Sequence, residues 1–198
     1  AKKKVFGEVG IDGLFGPTET VVIADDNARP EFCAADMLAQ AEHDELAFPV
    51  LITTSKNVLA NVEKELNKQL KKLDRNKIAK QSIDNNCALI LVDSIEMCIE
   101  LSNLIAPEHV CLNIQNANDW IAHIINAGAI FVGDYSAEVM GDYIAGPSHT
   151  LPTFGTSRYS SYLGAQQFVK YMPIIGLDNK TVKELIPTAI IISEHEGL

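Results

Sequence analysis

Apolar positions along the chain alternate between two rhythms. Short runs rich in β-branched residues read as strands buried on both faces. These are TVVIADD (Thr20 to Asp26), FPVLITTS (Phe48 to Ser55), CALILVD (Cys87 to Asp93), HVCLNI (His109 to Ile114) and AGAIFVG (Ala127 to Gly133). Between them lie stretches of helical period. RPEFCAADMLAQAEHD follows Asn27 as a cap and carries Pro30 in its first turn. SKNVLANVEKELNKQLKKLD spaces Val58, Leu59, Val62, Leu66, Leu70 and Leu73 along one side of a helix. SIEMCIELSNLIA and ANDWIAHIIN are two further helices.

Strand and helix in this repeated order predict an α/β fold: an incomplete Rossmann-like, mostly parallel sheet with helices on both faces. After Gly133 the rhythm stops. GDYSAEVMGDYIAGPSHTLPTFGTSRYSSYLG is rich in Gly, Pro, Ser and Thr, and a loop of this length inside a compact domain is usually functional or disordered. Its aromatic residues favour an ordered one. DNKTVKELIPTAIIISEHEGL then reads as a helix. The expected division is residues 1–135 as a partial Rossmann-like domain and residues 136–198 as an active-site loop with a truncated, helical C-terminal extension. AKKKVF reads as a helix already under way, and Leu198 follows without a cap, so the chain reads as a fragment of a longer protein.

At 198 residues the chain is long enough for one good-sized core, and 47% of its residues are apolar. No apolar run reaches bilayer length and no basic leader precedes a cleavage site, so a soluble, cytoplasmic protein is expected, with no membrane partner. The net charge of -10 argues against a nucleic-acid surface. The basic runs Lys2 to Lys4 and Lys68, Lys71, Lys72 sit among acidic residues and read as solvated faces. Cys33, Cys87, Cys98 and Cys111 fit no CxxC spacing and read as reduced structural thiols.

Five histidines narrow the chemistry. His123 beside Trp120 reads as structural, and His195 among acidic residues as solvated. The other three stand at element boundaries beside a carboxylate or an amide. Gln40 and His43 are three apart and share a helix face, which makes them either a polar helix end or a pair of metal ligands. Asp142 and His149 lie in the irregular stretch, where side chains can turn inward. Glu108 and His109 follow Pro107, and an adjacent acid and imidazole suit proton transfer near neutral pH. A mixed nitrogen and oxygen set with a carboxylate suits zinc or another divalent first-row metal. None of these pairs is specific alone. No GxGxxG follows a strand and no GxxxxGK[ST] occurs; GLFGPTET precedes a strand rather than a helix. In parallel sheets ligands sit at the carboxyl ends of strands, which leaves PEHV, at the start of one, oddly placed.

The blocks GIDGLFGPTETVVIAD, AADMLAQAEHD, APEHV, NAGAIFVGDY and GDYIAGPSHTLPTFGTSRYSS, in this order and spacing, resemble histidinol dehydrogenase across essentially the whole chain. The resemblance implies a zinc-dependent enzyme of histidine biosynthesis. Such enzymes oxidise an amino alcohol to the amino acid in two hydride transfers to NAD, with the aldehyde kept bound. It implies Gln40, His43 and Asp142 as zinc ligands. His109 is implied as the base that takes the hydroxyl proton, and Glu108 as the group that helps to activate water. Thr18, His149 and Glu196 match substrate contacts, together with the metal ligands Gln40, His43 and Asp142. The family is a homodimer with shared sites, its last zinc-ligand histidine coming from the neighbouring subunit just beyond the position of Leu198. Most NAD contacts belong to the N-terminal half, so the cofactor-binding residues stay unassigned here and this polypeptide is not expected to turn over alone. Thr18 stands where the family usually has Ser, and the loop HTLPTFGTSRYSS departs slightly from the commonest form. Two alternatives therefore stay open: a paralogue oxidising another polar alcohol, and a non-catalytic metal-binding or assembly module.

Overall fold

The structure is a computed structural model that describes residues 1–198. Five strands form one sheet: β1 (Glu19–Ala24), β2 (Phe48–Thr53), β3 (Ala88–Leu91), β4 (His109–Asn113) and β5 (Ala129–Val132). Their order is β3-β2-β1-β4-β5, and every pair is parallel. The helices are α1 (Lys2–Val5), α2 (Pro30–Ala41), α3 (Lys56–Leu70), α4 (Asn76–Asn86), α5 (Ile95–Ile105), α6 (Ala117–Trp120), α7 (Glu138–Tyr143) and α8 (Asn179–Glu196). Two compact units result, Ala1–Gly164 and Ala165–Leu198.

The unbroken apolar runs have the cause the sequence indicates, because the central strand is covered on both faces. Val21, Ile23, Val50, Ile52, Val110 and Leu112 pack toward Cys98 and Ile99 of α5. Val22, Ala24, Leu51 and Cys111 point the other way, onto Met37 and Leu38 of α2 and Val58, Val62 and Leu66 of α3. Side-chain oxygens cap α3 and α5: Ser55 accepts from the Val58 N–H and Ser94 from the Met97 N–H. Three of the four cysteines are buried and all are free thiols.

Five local expectations differ from what forms. Asn27 does not cap α2: Arg29 stands at the cap position and no side chain bonds the first turn. Asn76–Asn86 carries too few apolar residues to register a period, yet it is α4, held where Ser82 Oγ donates to the Ala47 carbonyl (2.9 Å). ANDWIAHIIN is one helical turn followed by a 3₁₀ turn at Ile121–His123. Asn103 Oδ1 captures the N–H groups of Ile125 and Asn126 and so draws the chain out of the helix. The stretch after Gly133 contains α7, so Asp142 stands on a short helix rather than a loop. Finally, α2 stops at Ala41, and His43 follows in a turn closed by its N–H to the Gln40 carbonyl (3.0 Å).

The second unit contains α8, with Asp178 Oδ1 accepting from the Thr181 N–H at its start and Gly197 at positive φ closing its end. No helix of the chain is long and apolar enough to cross a membrane.

Candidate active site

Helix α2 runs back between β1 and β2, so its C-terminal turn returns to the amino edge of the sheet. Thr18 precedes β1 at that edge, and Glu108 and His109 open β4 beside it. A cleft of about 430 Å³ is lined there by Thr18, Gln40, His43, Glu108, His109, Asp142 and His149. The expected carboxyl-edge site is thus not where these residues meet. Strand starts and a helix C-terminus build the cleft instead, and the outward carbonyls of a helix end favour positive charge. The eighth candidate, Glu196, is exposed on the last turn of α8 in the other unit.

The floor of the cleft is a continuous polar network. The Thr18 hydroxyl donates to Gln40 Oε1 (2.7 Å) and also meets Glu108 Oε2 in a very short contact. Gln40 Nε2 lies 2.7 Å from His109 Nδ1. His109 is almost fully buried, its ring tilted against Phe131, and its Nε2 has no hydrogen-bond partner; Asp142 Oδ1 stands 3.6 Å away.

One hydroxyl proton cannot serve two acceptors, so this network has two self-consistent proton ledgers. In the first, Glu108 keeps its proton and donates it to Thr18, Thr18 donates to Gln40, and Gln40 donates to His109 Nδ1. The ring proton is then on Nε2. In the second, the Gln40 amide is turned over. It donates to Thr18, Thr18 donates to an ionised Glu108, and His109 Nδ1–H donates to the amide oxygen, leaving Nε2 with a free lone pair. The same side chains therefore accommodate an acid form and a base form.

Burial raises the Glu108 carboxyl above its ordinary pKa, against the opposing pull of His109 and Thr18. Burial by itself works to depress His109, but Asp142, Glu138 and Glu108 outweigh it and the imidazole is raised. Asp142 is lowered, chiefly by its contact with His109. A raised acid beside a raised imidazole is an arrangement suited to proton transfer around neutral pH.

Three further residues belong to this site although no motif marks them. Glu138, the first residue of α7, is fully buried, with Oε1 3.5 Å from His109 Nδ1 and Oε2 accepting from Thr20 Oγ1 (2.6 Å). Thr20 pairs in register with His109 across β1 and β4, so both project to the α2 side of the sheet. The Glu138 N–H in turn donates to Asp36 Oδ1 of α2 (3.4 Å). The only trace of this in the sequence is that Glu138 and Asp142 are four apart, one helical turn. Burial pushes Glu138 up to about 8 and Asp36 up to about 6.

The donor set is compatible with a divalent cation. A ligand atom of each of His109, Glu138 and Asp142 lies within 4.8 Å of the others. Gln40 and His43 add an amide oxygen and an imidazole at the same cleft.

A sequence profile of histidinol dehydrogenase matches residues 1–198. The histidinol dehydrogenase of Dehalococcoides mccartyi strain CBDB1 is 46% identical over the whole chain, and that of Thermus thermophilus 43%. The chain spans 45% and 48% of those two proteins, about half their length. The crystal structure of histidinol dehydrogenase from Elizabethkingia anophelis superposes with a TM-score of 0.91 at 39% identity, covering 99% of this chain and 46% of that one. An acetylating aldehyde dehydrogenase from Geobacillus thermoglucosidasius shares the fold alone, at 15% identity and a TM-score of 0.51. With a profile that matches from the first residue to the last, the chain belongs to the histidinol dehydrogenase family.

Proposed function

We propose that this chain supplies the metal- and substrate-binding half of a zinc-dependent, NAD-linked enzyme. That enzyme oxidises L-histidinol to L-histidine through a bound aldehyde, in cytoplasmic histidine biosynthesis. The observation that carries the reading is the convergence of Thr18, Gln40, His43, Glu108, His109, Asp142 and His149 on one cleft, from five separate segments of chain.

Gln40, His43 and Asp142 would hold the zinc, with a further ligand from the second subunit of a homodimer. The buried, unpartnered His109 Nε2 and the carboxylate beside it fit a polar occupant in the cleft. Zinc, when bound, supplies charge that fixes the substrate's amino and imidazole nitrogens. Everything else falls to the protein's own side chains. Thr18, His149 and Glu196 are assigned to substrate, with the metal ligands, and orientation of the alcohol accounts for a large share of the rate. His109 takes the hydroxyl proton at Nε2 in the first oxidation. Glu108, held up in pKa and linked to His109 through Thr18 and Gln40, helps to draw a proton from water in the second.

The turns after β1 and β2 carry DDNAR and TS, without the glycines that let a backbone approach a pyrophosphate. Most NAD contacts accordingly fall to the N-terminal half of the full-length enzyme.

The test is NADH formation by the full-length protein with zinc and L-histidinol. His109→Asn should lower the rate about 10²-fold or more, and an unimpaired variant would remove the base from His109. Thr18, with a methyl beside the Gln40 and Glu108 contacts, gives some support to a second reading, a paralogue acting on another polar alcohol. A panel of amino and hydroxy-acid alcohols decides between them.

A further inference from the structure

We propose that the crevice at the carboxyl ends of β1, β4 and β5 is a second binding site, shaped for a small organic cation: a primary ammonium group on a short apolar or aromatic body. It lies at the opposite edge of the sheet from the His109 cleft and is independent of the chemistry assigned there.

In the order β3-β2-β1-β4-β5 the chain winds outward from β1 to β3 on one side, then returns to build β4 and β5 on the other. The loops after β1 and β4 part at that reversal, and parallel sheets of this kind bind ligands in the gap. A crevice of about 370 Å³ opens there, and its lining includes Asn27, Asn113, Gln115, Gly133, Asp134 and Tyr135. Its walls are set in advance. Asp25 Oδ1 accepts from the Asn27 N–H (2.8 Å) and Oδ2 from the Gln115 N–H (2.7 Å), so one carboxylate ties the loop after β1 to the loop after β4. Gly133, at φ 81°, turns the chain after β5, and its N–H donates to the Leu112 carbonyl (3.0 Å).

Two features point to the occupant. Asn113, at 4% exposure, donates through Nδ2 to Cys33 Sγ (3.4 Å), which leaves its Oδ1 without a protein partner at the crevice. A buried side chain with an acceptor left open calls for a donor. Asp134 adds a carboxylate, and no Lys, Arg or His lines the crevice. Arg29, close by in sequence, is held by Glu31 and lies over the Phe32 ring. Both oxygens of Asp25 are committed, so one carboxylate with neutral acceptors remains. That set suits a monovalent ammonium with its three N–H donors better than a divalent ion, which gathers several carboxylates. The same carboxylate repels a phosphate. Tyr135, exposed beside Asp134, offers a ring face to the cation or its body.

The experiment is calorimetric titration of the full-length zinc-loaded protein with phenethylamine. Phenethyl alcohol, the same body without the charge, and adenosine, with hydroxyls and no charge, serve as comparisons. The amine should bind in the millimolar range, weaken as salt is raised, and bind about tenfold more tightly than the alcohol. Asp134→Asn keeps the shape and removes the charge, and should weaken the amine about tenfold; Asn113→Leu should do the same by removing the acceptor. His43→Ala, in the other cleft, should leave the affinity unchanged. No binding at millimolar amine, equal binding of the alcohol, or tighter binding of adenosine overturns the proposal. So does an affinity lost in His43→Ala and kept in Asp134→Asn, which would place the amine at the amino edge. If Asn113→Leu does not fold, Asp134→Asn decides.

Discussion

Glu138 and Asp142 stand one turn apart on α7 and address opposite nitrogens of one imidazole, Glu138 at Nδ1 (3.5 Å) and Asp142 at Nε2 (3.6 Å) of His109. They differ in surroundings. Glu138 is sealed beneath the ring, while Asp142 shares the cleft with His43 and His149. One short helix therefore supplies both a buried carboxylate and one open to an incoming cation.

That contrast gives a dependence of stability on pH in the metal-free protein. Burial raises the folded-state pKa of Glu138 to about 8 and of Asp36 to about 6. A carboxyl raised in the folded state binds more protons folded than unfolded, so stability falls as pH rises from the unfolded value toward the folded one. Thermal unfolding with chelator present should show Tm declining from about pH 4.5 to about pH 8, at the cost of a few kcal/mol in total. Glu138→Gln should flatten the upper part of that decline, above about pH 6. An equally steep profile in the variant would remove Glu138 as its source.

Zinc binding tests the ligand assignment separately from turnover. Gln40→Ala and His43→Ala are each expected to weaken zinc affinity about 10- to 100-fold, read by competition with a chromophoric chelator. The two should differ in stability. Gln40 is buried and joins Thr18 to His109, so its loss leaves polar groups unpaired at about 1–3 kcal/mol. His43 is exposed, and its loss should leave Tm nearly unchanged.

Thr18 is the hydroxyl through which Glu108 reaches Gln40. Thr18→Val keeps the shape and removes the oxygen, which should cost about 1 kcal/mol of stability and lower the rate of the second oxidation in the full-length protein. Thr18→Ser should restore both. Equal rates in Thr18→Val and the wild type would detach Thr18 from proton transfer.

Gly128 is constrained by the backbone of Glu108. Its N–H donates to the Pro107 carbonyl, and a Cβ on it would lie 2.6 Å from the Glu108 carbonyl oxygen. Gly128→Ala should therefore push β5 from β4 where Glu108 begins, destabilising by about 1–3 kcal/mol. A fall in Tm of several degrees is the expected reading, and an unchanged Tm would mean that the strands yield freely.

The five strands and the helices α2, α3, α5 and α8 were legible because each carries its own local period. The helix α4 was not, since it is held by contacts such as Ser82 to Ala47 rather than by an apolar face. The residues that line the cleft were legible as pairs at element boundaries, and as blocks that resemble a family, but Glu138 lay in a stretch without period. Its burial depends on Thr20, 118 positions earlier, and no local pattern carries that.

The order of apolar and polar residues by itself determined a parallel sheet covered on both faces, because strands of that kind must be apolar throughout. Only the tertiary structure decided that the cleft opens at the amino edge, since each crossover returns a helix end to the strand starts. It also brought Gln40 to His109 across 69 positions of sequence. Contacts at that range are set by how the elements pack, and a local period extends only over a few residues.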